Sequence, residues 1–314
     1  MTGTGRKTTA GRKVSAGMGV LGLAVAATLA LPSTAFAAET PSDLVTTGGT
    51  WAQAATATIH PGVVTTTKDA QCTANFVYTA LGHTYLGQAA HCSGTGSETD
   101  TNGCSAQSLP LGTPVTIEGS GVTGRLAYNS WLTMQKRGET DPDACAYNDL
   151  ALIEIPSSAV GQVNPSVPVF GGPVGLNTTG TQPGDTVVSY GNSPLRQGIA
   201  LLSPKQGTSL GDTGNGWSHT VYTLTPGIPG DSGSAFMDGQ GRALGDLSTL
   251  SFAPQPLSNQ VSDLSHELAY ARAHSEFKDL RLVAGTEPYL PGLLPGLPAL
   301  PGLPGTSAQP EQKA

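Results

Sequence analysis

The chain is poor in charged residues, aromatic residues and cysteine. Charged residues make up 12% of its 314 residues and aromatic residues 5%, and there are four cysteines. After residue 37 no apolar run approaches the roughly 20 residues that a membrane-spanning helix needs, so we predict no stable membrane insertion. Glycine and proline are abundant instead, with 42 and 24 residues. That composition is typical of a turn-rich β protein.

Residues 1–37 resemble a secretory signal, in which basic residues precede an apolar run and a small-residue cleavage site. The basic residues are Arg6, Lys7, Arg12 and Lys13. The segment contains no Arg-Arg pair of a twin-arginine signal, and no cysteine for lipidation lies at the cleavage site. We therefore predict that the protein is secreted without a lipid anchor. Removing the segment takes four of the 15 basic residues and none of the 22 acidic ones, which leaves 11 against 22. Because this excess of acidic residues would repel phosphate groups, we expect no nucleic-acid partner.

Three short motifs carry the chemistry of the chain: Ala-Ala-His-Cys at His91, Asn-Asp-Leu-Ala-Leu at Asp149 and Gly-Asp-Ser-Gly-Ser at Ser232. A serine hydroxyl is a weak nucleophile until a base takes its proton and a carboxylate orients that base. The order His, Asp, Ser differs from the Ser, acid, His order of α/β-hydrolases. Those enzymes also need Gly-x-Ser-x-Gly, and Ser234 stands here in place of the second glycine.

At these motifs the sequence resembles the trypsin-like (chymotrypsin-fold) serine peptidases, especially the bacterial secreted branch, over about residues 50–280. The resemblance implies an all-β fold of two six-stranded antiparallel barrels, at 57–165 and 166–282, with a C-terminal helix in the second part. It assigns His91 as catalytic base, Asp149 as orienting acid and Ser232 as nucleophile, with an oxyanion hole formed by the N–H groups of Gly230 and Ser232. The implied enzyme is a monomer that acts on polypeptides and needs no cofactor.

Four cysteines in an exported chain predict two disulfides, and the sequence by itself leaves three pairings open. The resemblance implies Cys72 with Cys92 and Cys104 with Cys145. A closed loop of about 20 residues stabilises a fold by roughly 3 kcal/mol in the chain-entropy model. The cysteine spacings match no usual zinc cluster, so no metal is expected.

The predicted substrate cleft departs from the family pattern. Trypsins select Lys or Arg with an acid six residues before the nucleophile, where this chain has Pro226, so a basic preference is unsupported. Ser248 is expected to line the cleft and Leu250 to narrow it, while Asp231 and Asp246 are expected to be structural acids. These departures keep an alternative open: a secreted chymotrypsin-fold binding protein without efficient catalysis.

Alternating segments and turn signals predict the secondary structure. They predict hairpins at 73–89 and 113–128, strands at 150–155, 185–192 and 242–248, and a helix at 262–275. Residues 38–56 form either an N-terminal segment or a short propeptide. Residues 283–314 are rich in Pro, Gly and Leu and predict a flexible tail. A Leu-Pro-Gly-Thr-Ser stretch in the tail resembles a sorting signal, which leaves a wall-associated structural protein as a third class.

Overall fold

A computed structural model describes residues 44–45, 50–97, 100–250 and 256–291. The predicted signal peptide lies outside these residues. The strands are β1 Leu44–Val45, β2 Val64–Thr67, β3 Ala70–Thr73, β4 Val77–Ala80, β5 His83–Ala89, β6 Pro114–Ile117, β7 Val122–Asn129, β8 Leu150–Glu154, β9 Gly175–Leu176, β10 Thr186–Tyr190, β11 Pro204–Thr213, β12 Ser218–Thr223, β13 Ala235–Asp238, β14 Arg242–Leu250, β15 Asn259–Asp263 and β16 Arg281–Val283. The α-helices are α1 Ser130–Arg137, α2 Pro142–Tyr147 and α3 Leu264–His274.

The first sheet has the order β1-β16-β4-β5-β8-β7-β6-β2-β3. Both predicted hairpins are present, as β4–β5 and β6–β7. Leu81 and Gly82 both have positive φ, at 54° and 79°, which is the geometry that a tight two-residue hairpin turn requires. The described part of the sheet has nine strands instead of the predicted six; β16 and β1, which add to the edge of β4, account for two of the three additional strands.

The second sheet closes on itself. Strands β13, β10, β11, β12, β15 and β14 follow one another, and β14 pairs back to β13 to close a six-stranded antiparallel barrel. Strand β9 adds to β14 in parallel. The structure therefore confirms the predicted all-β, two-barrel fold with a C-terminal helix, although among the described residues the strand pairings close the second barrel and leave the first as a half-barrel.

A single buried apolar cluster joins the two barrels. It contains Phe76 and Tyr78 from the first barrel, Val188 and Met237 from the second, and Leu268 from α3. Burial of apolar surface is the main favourable term in folding, so this shared cluster holds the barrels together. The three sequence motifs approach one another along this boundary.

Two short helices precede the strand that begins after Asp149. The Asn129 side chain caps α1 by accepting a hydrogen bond from Leu132 N, and Gly138 ends the helix at φ 67°. Asp141 caps α2 in the same way and Pro142 occupies its first turn. Within the described ranges, no helix has the length and apolar character needed to cross a membrane.

Residues 283–291 are packed, unlike the flexible tail predicted from 283 onward. Val283 is fully buried in β16, and Leu290 N donates a hydrogen bond to Phe170 O. The Pro/Gly-rich composition gave no sign of two packed residues in this stretch. These are Val283, buried in β16, and Tyr289, which packs against the apolar cluster. The rest of the predicted tail lies outside the described residues.

Candidate active site

His91 lies in a 3-10 helix, Ala90–Ser93, that directly follows β5. The Cys72–Cys92 disulfide joins this helix to β3, and Cys104–Cys145 joins the chain before α1 to α2, both as the resemblance implied. Ala90 N also donates to Asp149 O. The main chain around His91 is therefore fixed on both sides.

Asp149 holds His91 through two hydrogen bonds. Asp149 Oδ2 is 2.7 Å from His91 Nδ1, and Asp149 Oδ1 accepts from His91 N at 2.9 Å. Ser248 Oγ donates to the same Oδ2 at 2.7 Å, which puts Ser248 beside Asp149. Because a carboxylate can only accept, Nδ1 carries the hydrogen, and neutral His91 presents an unprotonated Nε2.

Two opposing effects set the pKa of His91. Burial lowers the pKa, but the negative charge of Asp149 and its hydrogen bond outweigh burial, so the pKa is raised above 6.5. The side chain keeps 27% of its surface exposed, against 4% for Asp149. The ring thus has one nitrogen fixed by a buried acid and one side open to solvent, the arrangement that a general base needs.

A buried carboxyl pair lies behind Asp149. Glu267 Oε1 accepts a hydrogen bond from Asp149 N at 2.9 Å, and Asp246 accepts one from Asn75 at 3.4 Å. Burial raises the pKa of both Asp246 and Glu267 well above their ordinary values. The charge of Asp149 raises both further and the charge of Asp246 raises that of Glu267, whereas a hydrogen bond with Glu267 lowers the pKa of Asp246. A hydrogen bond between two carboxyl groups requires a proton, so we infer that this pair holds one.

Ser232 sits in a turn between the two barrels. Thr73 N donates to Ser232 O at 2.8 Å, and Thr73 Oγ1 donates to Gly230 O at 2.8 Å. Gly233 has φ 81°, and a Cβ there would lie 2.6 Å from Ala89 N, two residues before His91. Only glycine permits so close an approach to β5, which brings Ser232 to the segment that carries His91.

Among the described residues, neither Ser232 Oγ nor His91 Nε2 has a hydrogen-bond partner. In free enzymes such hydrogen bonds are often long and shorten only when substrate binds. The main-chain N–H groups of Gly230 and Ser232 likewise have no acceptor in that part of the chain, whereas Asp231 N and Gly233 N donate to Ile228 O and Leu247 O. Gly230 has φ 94°, a conformation that glycine tolerates.

Asp231 is fully buried and held by two cations. Arg196 Nη2 and Lys205 Nζ both lie beside Asp231 Oδ2, and Ser193 N donates to Oδ1 at 2.9 Å. Burial raises the pKa of Asp231, but Lys205 and Arg196 overcome that effect and hold it below its usual value. The acid is therefore internally satisfied, as predicted for a structural acid.

The predicted cleft residues lie on neighbouring segments. Pro226 O accepts from Arg196 Nη2 at 2.9 Å, and the half-buried Leu250 ends β14 after Ser248. Sequence reasoning missed Arg196, Lys205 and Glu267, because no local pattern announces a buried charge whose partner is distant in the chain. Cys72, His91 and Cys92 cluster closely enough to suggest a metal site, but both sulfurs are committed to the disulfide.

No family model matches the sequence, and no curated protein matches it. Among solved structures the chain is similar to Thermobifida fusca protease A, with 17% identity, a TM-score of 0.42, and coverage of 72% of this chain and 99% of the other. It is also similar to a Nocardiopsis protease, with 17% identity, a TM-score of 0.42, and coverage of 72% of this chain and 98% of the other. Cellulomonas bogoriensis chymotrypsin is similar with 15% identity, a TM-score of 0.42, and coverage of 71% of this chain and 97% of the other. These neighbours are bacterial chymotrypsin-fold serine proteases.

Proposed function

We propose that this protein is a secreted serine endopeptidase that works through an acyl-enzyme on Ser232. The observation that carries the proposal is the His91 ring, held at Nδ1 by the buried Asp149 at 2.7 Å, with Nε2 unpartnered among the described residues. The adjoining turn offers a serine hydroxyl and two N–H groups that find no acceptor in the same described ranges. That set matches the requirements of acyl transfer.

In the proposed reaction, His91 Nε2 takes the Ser232 hydroxyl proton as Oγ forms a bond to the substrate carbonyl carbon. The negative charge that develops on the carbonyl oxygen is stabilised by the N–H groups of Gly230 and Ser232. The C–N bond then breaks, and His91 returns the proton to the leaving amine. Water next gives a proton to His91 as its oxygen bonds to the ester carbon. The bond from that carbon to Ser232 Oγ then breaks, His91 returns the proton to Oγ, and the acid is released. Asp149 stays ionised and stabilises the imidazolium throughout.

We expect Ser232→Ala and His91→Ala each to reduce kcat by about 10⁵- to 10⁶-fold while the fold is retained, because triad members act as a unit. Ser234→Ala is the matched control: its buried hydroxyl has no hydrogen-bond partner among the described residues, so its loss should leave turnover unchanged. A serine-directed phosphonylating reagent should label Ser232 in the wild type. A folded protein that is neither labelled nor active would instead be the binding protein of the alternative.

The proposed side-chain preference is for a small or medium apolar residue before the scissile bond. Pro226 stands where trypsins keep an acid, and its carbonyl oxygen already accepts a hydrogen bond from Arg196. Burying a substrate Lys or Arg there would leave its charge unpaired, whereas an apolar side chain gains roughly 25 cal/mol per Å² removed from water. Profiling with a peptide library tests this, and dominant cleavage after Lys or Arg would contradict it.

A further inference from the structure

Asn259 opens β15 and is fully buried. Its Cα partners are Leu250 on β14 and Val221 on β12, so it lies directly across the sheet from the last residue of the predicted cleft wall. Nothing in the sequence marks this asparagine, because it follows a loop and precedes an ordinary alternating strand. Its side chain, however, joins the two segments that carry the predicted cleft residues.

Three hydrogen bonds fix the Asn259 amide. Oδ1 accepts from Gly227 N at 2.8 Å, and Nδ2 donates to Gly227 O at 3.2 Å and to Thr249 O at 3.3 Å. Gly227 follows Pro226, and Thr249 lies between Ser248 and Leu250. Both amide hydrogens are therefore used to link one wall of the cleft to the other.

The space beside Gly227 is already occupied. A Cβ added to Gly227 would lie 2.6 Å from Leu247 Cδ2 and 3.0 Å from Asn259 Nδ2. Contacts this short leave no room for a side-chain carbon on Gly227, so Leu247 and the Asn259 amide pack directly against its main chain. A substrate side chain that entered between the two walls would meet the Asn259 amide at its far end.

We propose that Asn259 forms the floor of the substrate side-chain pocket and limits the residue before the scissile bond to alanine or glycine. This inference rests on the proposed peptidase function and narrows its small or medium preference. Displacing the amide to admit a larger side chain would leave Gly227 N and both carbonyls unpaired in a buried setting. Such groups are costly to leave without partners, so exclusion of larger side chains is energetic as well as steric.

The test uses peptide substrates that differ only in having Ala, Leu or Phe before the scissile bond. We expect wild type to favour Ala, and Asn259→Ala to raise the Phe-to-Ala ratio of kcat/KM by tenfold or more, since single pocket groups produce discrimination of about 10- to 200-fold. Gln260→Ala is the matched control. Gln260 is the next residue on β15, and its side chain bonds Ser218 and Thr220 instead of the cleft segments. It should leave the ratio unchanged.

A second measurement needs no variant: rates of Ser232 labelling by phosphonates that carry an Ala-like or a Phe-like side chain. Wild type should react at least tenfold faster with the Ala-like reagent. Equal or faster labelling by the Phe-like reagent would overturn the assignment of Asn259 and leave the peptidase function intact. An unchanged ratio in a folded Asn259→Ala protein would overturn it too. Failure of both reagents to label wild type would count against the peptidase function itself.

Discussion

Lys205 is a fully buried cation, and its removal should change how stability depends on pH. Its Nζ lies 3.0 Å from Asp231 Oδ2, the oxygen that Arg196 also contacts. Burial lowers the pKa of Lys205 from 10.5 to about 8, and the charge of Arg196 adds to the effect, although Asp231 opposes both. The pKa of Asp231 is lowered as well, so the acid is stabilised as an ion while the lysine is not. The asymmetry arises because two cations share one carboxylate.

The size of the effect follows from the shift. Lowering the pKa from 10.5 to about 8 corresponds to about 3 kcal/mol, at 1.36 kcal/mol per unit. Between these values the unfolded chain binds more protons at Lys205 than the folded chain does, so the free energy of unfolding rises with pH. The destabilisation caused by burying the charged lysine is complete below pH 8 and disappears towards pH 10.5. The linkage relation gives a rise in the free energy of unfolding of about 2 kcal/mol between about pH 7 and pH 9.5.

Lys205→Met keeps a long side chain and removes the charge. We would measure unfolding in urea at pH 7 and pH 9.5 by tryptophan fluorescence, without added thiol so that the disulfides persist. The other titrating groups are common to both proteins. The increase in the free energy of unfolding from pH 7 to pH 9.5 in the wild type, minus the same increase in the variant, is therefore the contribution of Lys205. We expect this difference to be about 2 kcal/mol. An equal pH response in the two proteins would refute this account of the buried charge.

Two further predictions concern His91 and Glu267. Because Asp149 raises the pKa of His91, the acid limb of kcat/KM should have its midpoint above 6.5, and Asp149→Asn should lower kcat by about 10⁴-fold; a midpoint well below 6.5 would contradict neutral His91 as the base. Glu267→Gln keeps an acceptor for Asp149 N and should retain near-normal kcat, whereas Glu267→Leu should lower kcat tenfold or more with little change in KM. Equal kcat in the two Glu267 variants would show that this hydrogen bond does not position Asp149.

Elements with clear local signals were predictable. The hairpins around Leu81-Gly82 and at 113–128, strand β8 and helix α3 all combine apolar spacing with turn or cap residues, and the structure contains each of them. Strand β11 was not predictable, because Pro204–Thr213 contains glycine, polar residues and a lysine instead of alternating apolar residues. Its Lys205 is buried by the partnership with Asp231, a tertiary effect that overrides local preference.

The candidate site likewise contains some residues that local motifs mark and others that only the tertiary fold brings into place. His91, Asp149, Ser232 and the glycines of the turn lie in short motifs, so the sequence marks them directly. Asn259 and Glu267 carry no motif, since their partners lie on other strands and are set by the closure of the second barrel. The small helices α1 and α2 did carry cap signals, in Asn129, Gly138 and Asp141, but six to eight residues give too little apolar periodicity to stand out.

The position of β16 sets the order in which the molecule can be completed. Leu282 pairs with Tyr78, so an edge of the first barrel is supplied by chain that is synthesised after the whole second barrel. A nascent chain that has reached only α3 leaves the main-chain groups of β4 uncovered, and an uncovered edge invites pairing with other chains. Pairings between such distant segments form slowly. The first barrel is therefore expected to reach its native state only after β16 has been synthesised, and a fragment that ends at α3 should not complete it.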